Sequence, residues 1–125
     1  MQVKNISKRL GKVASFVPQG SKILDVGSDH AYLPIYLMQQ RRIVSAIAGE
    51  VVDGPYQSAV ANVSDNELSD KISVRLANGL AAFDEKDQID VIIIAGMGGR
   101  LIADILANDS AKLASVKRLI LQPNN

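Results

Sequence analysis

The stretch ILDVGSDHAYLP, residues 23 to 34, decides how this chain folds. A short apolar run passes into a glycine and then into a helical pattern, the strand, turn and helix that open a nucleotide-binding α/β unit. In a dinucleotide-binding loop, G-x-G-x-x-G, the glycines let backbone N–H groups and the helix start approach a pyrophosphate. Here Gly27 is followed by Ser28, Asp29 and His30, and the other glycines are missing. Asp29 stands where a phosphate would need no negative charge. Its short carboxylate also suits the N-cap of the helix that follows, and a cap and a ligand contact can coexist in one residue.

Working outward, the same alternation continues. The runs KILDV (22–26), RIVSAIAGE (42–50), ISVRL (72–76), DVIIIAG (90–96) and KRLILQ (117–122) are short and rich in Ile, Val and Leu, as strands buried on both faces are. Helical patterns lie near 31–41, 55–64 and 99–108, with ANGLAAF (77–83) as a turn or short helix. Upstream, Ile6, Leu10, Val13 and Val17 form an apolar helical stripe over 4–17 that stops at Pro18 and Gly20. Strand and helix in turn predict an α/β fold with a doubly wound, mainly parallel sheet. The chain is expected to be one domain over 1–125 that stops at the end of its fifth strand, where such a sheet normally continues.

Ligands of these sheets bind beyond the carboxyl ends of the strands, at the topological switch point. Glu50, 23 residues after Gly27 and at the tip of the second strand, offers the carboxylate that a ribose diol requires. Against a pyrophosphate Asp29 would set like charges together, whereas a sulfonium or ammonium group would meet opposite charge. S-adenosylmethionine carries adenine, ribose, a cationic sulfur and an amino acid, and no phosphate. It is therefore the expected cofactor, with Gly27 and Ser28 closing the backbone on it and Asp25 and Asp29 facing its positive end. Asn78 stands where related folds offer a polar group to the adenine, and it also suits a turn.

Beyond single loops, ILDVGSDHAYLP, AIAGEVVDGPYQSA (46–59), RLANGL (75–80), AGMGG (95–99) and LQPN (121–124) together resemble the bacterial tRNA (adenine-N1)-methyltransferases that modify adenosine 22. The likeness implies a class I, Rossmann-like methyltransferase domain, tRNA as substrate and a bacterial cytoplasmic setting. It also implies a helical C-terminal domain and final strands that the 125-residue chain lacks, so this length is expected to bind cofactor weakly and not to methylate tRNA. Of the commoner pattern D/E-x-G-x-G-x-G only Asp25 and Gly27 are present.

For that chemistry the ring N1 of neutral adenine needs no base to uncover its lone pair, so positioning is the main task. Asp29 is the expected catalytic group, stabilising the positive charge that methylation puts on the ring. Gly96, Met97, Gly98 and Gly99 replace the Asn/Asp-Pro-Pro-aromatic segment of amino-directed methyltransferases; they either admit the flat base against the backbone, with Met97 packing on it, or simply make a tight turn. Gln122 and Asn124 are expected on the adenine edge. His30, the single histidine, is placed in the cofactor loop either as a proton shuttle or as a structural partner. Lys4, Lys8 and Lys12 recur every four residues with Arg9 beside them, a cationic rail for tRNA phosphates or a plain solvated face.

Composition narrows the alternatives. A chain that is 47% hydrophobic and 22% charged is an ordinary globular one, and its formal charge of +1 does not by itself argue for nucleic acid. It has no cysteine, which removes disulfides, thiolate metal sites and cysteine nucleophiles, and no metal is expected. No apolar run is long enough to span a membrane. A nicotinamide-dinucleotide oxidoreductase would share Glu50 but needs the glycine-rich loop, and a non-catalytic RNA-binding module would not need Glu50 and the 27–30 loop together.

Overall fold

The computed structural model describes residues 6–124. Five parallel strands, β1 (Ser21–Val26), β2 (Ile43–Glu50), β3 (Ile72–Leu76), β4 (Val91–Met97) and β5 (Arg118–Pro123), lie in the order β3-β2-β1-β4-β5. Four helices accompany them: α1 (Lys8–Ser15), α2 (Tyr32–Gln39), α3 (Asp53–Asp65) and α4 (Gly99–Asn108). The alternation read from the sequence is that of the fold, an α/β Rossmann-like sheet. Because β1 pairs with both β2 and β4, the chain reverses direction of travel across the sheet beside β1, which makes the tips of β1, β2 and β4 neighbours.

Period-two alternation divides the strands between two cores. Ile23, Val91 and Ile93 face one side with Ala46 and Ile72, and α1, α2 and α3 cover them through Val13, Leu33, Ile35 and Val63. Leu24, Val26, Ile92 and Ile94 face the other, covered by α4 through Ile102 and Ile105 and by the short 3-10 turn Gly79–Ala82. Burial on both faces accounts for unbroken apolar runs such as Val91–Ile94; truncating one of these to alanine costs about 2–5 kcal/mol.

Helix α1 is shorter than its apolar stripe suggests. Ser7 caps it, its hydroxyl accepting from the Leu10 amide at 3.2 Å, and the helix ends at Phe16, ahead of Pro18. Lys4 lies outside the described residues, whereas Lys8 and Lys12 are exposed on α1. In α3 the helix opens at Asp53, so Pro55 stands in its first turn, where a missing N–H is harmless. Two further 3-10 turns, Glu85–Asp87 and Ser110–Ser115, have no counterpart in the periodicity.

Candidate functional site

The loop from β1 to α2 has an unusual backbone. Gly27 is left-handed, with φ of +66°, and so are the consecutive non-glycine residues Asp29, His30 and Ala31, at +52°, +69° and +61°. Such a run costs about 1–2 kcal/mol per residue, and strain of this kind gathers at sites that use it. The loop's amides account for that geometry. Gly27 and Ser28 both donate to the Gly49 carbonyl at 3.0 Å, and the Asp29 and His30 amides lie near enough to the Glu50 carboxylate to favour its charged form. The first two amides of the loop are thereby committed to the tip of β2.

Asp29 does not cap α2. The N-cap position falls on Ala31, which has no side-chain cap bond, so the capping role expected of Asp29 is corrected: the left-handed run pushes the helix start two residues past it. Its side chain is 79% exposed, with Oδ1 3.4 Å from His30 Nε2. His30 is well held. Its Nδ1 lies 2.6 Å from Ser58 Oγ, its ring stacks on Tyr32, and its carbonyl accepts from Asn62 Nδ2 at 2.9 Å, which places it as a structural partner between the loop and α3.

Two carboxylates lie inside. Glu50 is 4% exposed, and its Oε2 has no hydrogen-bond partner among the described residues. Burial raises its pKa, against the stabilising amides of Asp29 and His30. A buried, orphaned carboxylate oxygen is costly unless a ligand donates to it. Asp25, also 4% exposed, accepts from Ser28 Oγ at 2.8 Å. Burial first, opposed by that hydrogen bond, lifts its pKa from 3.8 to about 7; Glu50 and Asp29 add to the rise and Arg9 reduces it.

Two cavities open beyond the strand tips, and Gly27 and Met97 line both. The Met97 methyl sits so close over Gly27 that any Cβ there would collide with it. On one side is a polar cleft of about 290 Å³ with Arg9, Asp25, Ser28, Asp29 and Gly96 in its wall. On the other is an apolar slot of about 250 Å³ lined by Val26, Val51, Ala77, Asn78, Leu101 and Ile105. Asn78 has an extended backbone, and the positive φ of its turn, +56°, falls on Gly79 instead.

Other expected residues stand elsewhere. Within AGMGG only Gly96 requires a positive φ, +77°, while Gly98 is the N-cap of α4 and Gly99 its first residue. Met97 packs across Gly27, between the cavities, so its neighbour is the loop from β1 to α2. Gln122 and Asn124 are tied to Gly96: Gln122 Oε1 accepts from the Gly96 amide at 3.1 Å, and Asn124 Nδ2 donates to its carbonyl at 3.0 Å. Arg9 leaves the line of lysines and donates from Nη1 to Gln122 Oε1 at 2.9 Å. Sequence reasoning missed this turn of Arg9 into the cleft, together with Ser58 and Asn62 behind His30 and Val51 and Leu101 in the slot. All depend on how separate segments meet, and no local pattern announces them. Among the described residues no group of three or more His, Cys, Asp or Glu can hold a metal, and no helix is long and apolar enough to cross a membrane.

The site thus combines a buried carboxylate with an unpartnered oxygen, an apolar slot and a cleft with charges of both signs. The family model described as TrmK, tRNA (adenine(22)-N(1))-methyltransferase, matches residues 23–125. The tRNA (adenine(22)-N(1))-methyltransferase of Bacillus subtilis is 48% identical over 124 residues, 99% of this chain and 52% of that protein. Streptococcus pneumoniae Sp1610, solved in complex with S-adenosyl-L-methionine, is 70% identical with a TM-score of 0.95, over 97% of this chain and 56% of that one. M. capricolum TrmK, solved with S-adenosyl-homocysteine, is 35% identical with a TM-score of 0.84, over 96% and 53%. The chain thus spans about half the length of these relatives.

Proposed function

The chain belongs to the tRNA (adenine(22)-N(1))-methyltransferase family, and from that membership we propose that it carries the cofactor site of an enzyme methylating N1 of adenosine 22 in tRNA, in the cytoplasm. The observation that carries the cofactor assignment is the orphaned, buried Oε2 of Glu50 beside a loop whose first two amides are engaged by the Gly49 carbonyl. That combination favours a ribose without a phosphate. S-adenosylmethionine, when bound, supplies a methyl group on a cationic sulfur.

This chain's residues then divide the work. Glu50 accepts from the ribose hydroxyls, and the slot beside Asn78 takes the adenine. Asp25, buried in the polar cleft, faces the ammonium of the amino-acid end. As the adenosine N1 lone pair forms its bond to the methyl carbon, the sulfur keeps the electrons of the broken bond and positive charge passes to the ring. Asp29, exposed at the rim, stabilises that charge and can accept a proton from the exocyclic amine. Lys8 and Lys12, exposed on α1, track tRNA phosphates.

Calorimetry of the 125-residue chain with S-adenosylmethionine and with NAD tests the cofactor half. Binding of the first and none of the second is expected; the reverse would overturn the reading. The transfer half is tested with this chain in a protein of its relatives' length and a tRNA transcript, reading N1-methyladenosine by mass spectrometry. Product from the parent transcript and none after adenosine 22 is changed to guanosine is expected, and product at another position would refute the site of methylation.

A further inference from the structure

We infer that Ser58 and Asn62 of α3 are positioning residues for Asp29: they hold His30 by its ring and by its carbonyl, and His30 sets where the Asp29 carboxylate stands. The inference rests on Asp29 as the group that stabilises the methylated ring. Asp29 needs such a mount. Its side chain is 79% exposed, and its one ion-pairing partner among the described residues is His30, whose Nε2 lies 3.4 Å from Oδ1. A carboxylate so exposed would otherwise sample several rotamers, and a charge stabilises a transition state best when it is in place beforehand.

Both holds on His30 come from one face of one helix. Ser58 and Asn62 are four residues apart in α3, so they stand one above the other on the side toward the loop. Ser58 Oγ lies 2.6 Å from His30 Nδ1, and Asn62 Nδ2 donates to the His30 carbonyl at 2.9 Å. With the serine hydroxyl donating to Nδ1, the ring proton resides on Nε2, the nitrogen that faces Asp29. Stacking on Tyr32 fixes the plane of the ring. The carbonyl hold acts on the middle residue of the left-handed run, in which Asp29, His30 and Ala31 each adopt a costly backbone.

Packing alone does not call for this polar face. The buried residues of α3 are Ala59 and Val63, which join it to the core, and Ser58 and Asn62 stand half-buried beside them. The same face carries Asn66, which accepts from Gln39 Nε2 at 3.1 Å, at the far end of α2, and donates to the Asn62 carbonyl at 2.8 Å. Neither of those bonds reaches His30. Asn66 therefore separates two roles, since it ties α3 to α2 as its neighbours do but does not touch the loop.

The test places this chain in a protein of its relatives' length and measures single-turnover methylation of tRNA at saturating cofactor, with the melting temperature beside it. Ser58→Ala and Asn62→Leu should each slow the step by about ten-fold, because a misplaced catalytic group loses rate steeply. Ser58→Thr, which keeps the hydroxyl, should keep the parent rate, and Asn66→Ala should melt lower at the parent rate. On an Asp29→Asn background, Ser58→Ala and Asn62→Leu should change the rate by less than about two-fold, since the charge they position is gone. Losses that persist in full on that background, a parent-like rate in Ser58→Ala or Asn62→Leu, or an equal slowing by Asn66→Ala would overturn the inference. Should Asn62→Leu fail to fold, Ser58→Ala and its rescue by Ser58→Thr decide alone. If Asp29→Asn itself turns over like the parent, the catalytic reading of Asp29 falls and the mount with it. That outcome is distinct from a slow Asp29→Asn beside parent-like Ser58→Ala and Asn62→Leu, where the carboxylate keeps its role and only the mount fails.

Discussion

Replacing Asp25 by asparagine is expected to stabilise the free protein at alkaline pH while weakening its hold on the cofactor. Asp25 is buried, and burial, opposed by Ser28, lifts its pKa from 3.8 to about 7. Below the unfolded value the carboxyl is neutral in both states. Between the two values the unfolded chain releases a proton that the folded protein keeps, so stability falls as pH rises, by about 1.36 kcal/mol per unit. Over the window from 3.8 to about 7 the loss sums to about 4 kcal/mol, complete once pH exceeds the folded value. Asparagine does not ionise and still accepts from Ser28 Oγ, but its amide N–H groups enter a buried place, where each unpaired one costs about 1–3 kcal/mol. The variant should therefore be less stable than the parent by about 1–3 kcal/mol near pH 4 and more stable by about 1–3 kcal/mol near pH 8. Urea unfolding of both proteins across that range measures the difference, from which the titration of every other group cancels. A difference that stays flat with pH would refute the argument, because Asp25 would then titrate like a surface carboxylate. In the same samples at alkaline pH, S-adenosylhomocysteine affinity should drop, since the ammonium has lost its counter-charge.

Glu50→Gln should weaken S-adenosylmethionine binding by about 1–3 kcal/mol while melting no lower than the parent, because the buried charge is removed; undiminished affinity in calorimetry would remove the ribose assignment. Asp29→Asn should melt with the parent, since Asp29 caps no helix and asparagine tolerates its left-handed backbone, yet turn over far more slowly in single-turnover methylation of tRNA when carried in a protein of its relatives' length. Parent-like rates would leave Asp29 without a catalytic role. Neutralising Lys8 and Lys12 together should reduce the salt dependence of tRNA binding by a slope of about 2 and spare cofactor affinity; an unchanged slope would make α1 an ordinary solvated face.

The sheet was legible because parallel strands buried on both faces are written as plain Ile, Val and Leu runs: Val91–Ile94 announces itself, and the β1 run at 22–26 differs from Ser21–Val26 by one residue. The place of Glu50 at the tip of β2 was legible for a related reason, since the end of an apolar run marks the end of a strand. The left-handed turn was not, because Asp29, His30 and Ala31 are not glycine and carry no local sign of positive φ. That is why Asp29 passed for a cap. Arg9 read as one of a row of cations on α1; only the packing of α1 near the tip of β5 turns it toward Gln122. The hydrogen bonds that Gln122 and Asn124 make with Gly96, 26 and 28 residues away, leave no trace in sequence.

The left-handed turn also limits what the loop can become. Positive φ is tolerated best by glycine, then by asparagine, aspartate and histidine, and worst by β-branched residues. A saturation library at positions 29 to 31 should therefore be filtered by the backbone before any chemistry is selected. Valine, isoleucine and threonine will be lost whether the screen scores solubility or methyl transfer, and glycine and asparagine will survive the first of these screens. What separates aspartate from asparagine at position 29 is then a comparison at constant shape, so the frequencies recovered there report charge, while those at positions 30 and 31 report mainly how the chain must turn.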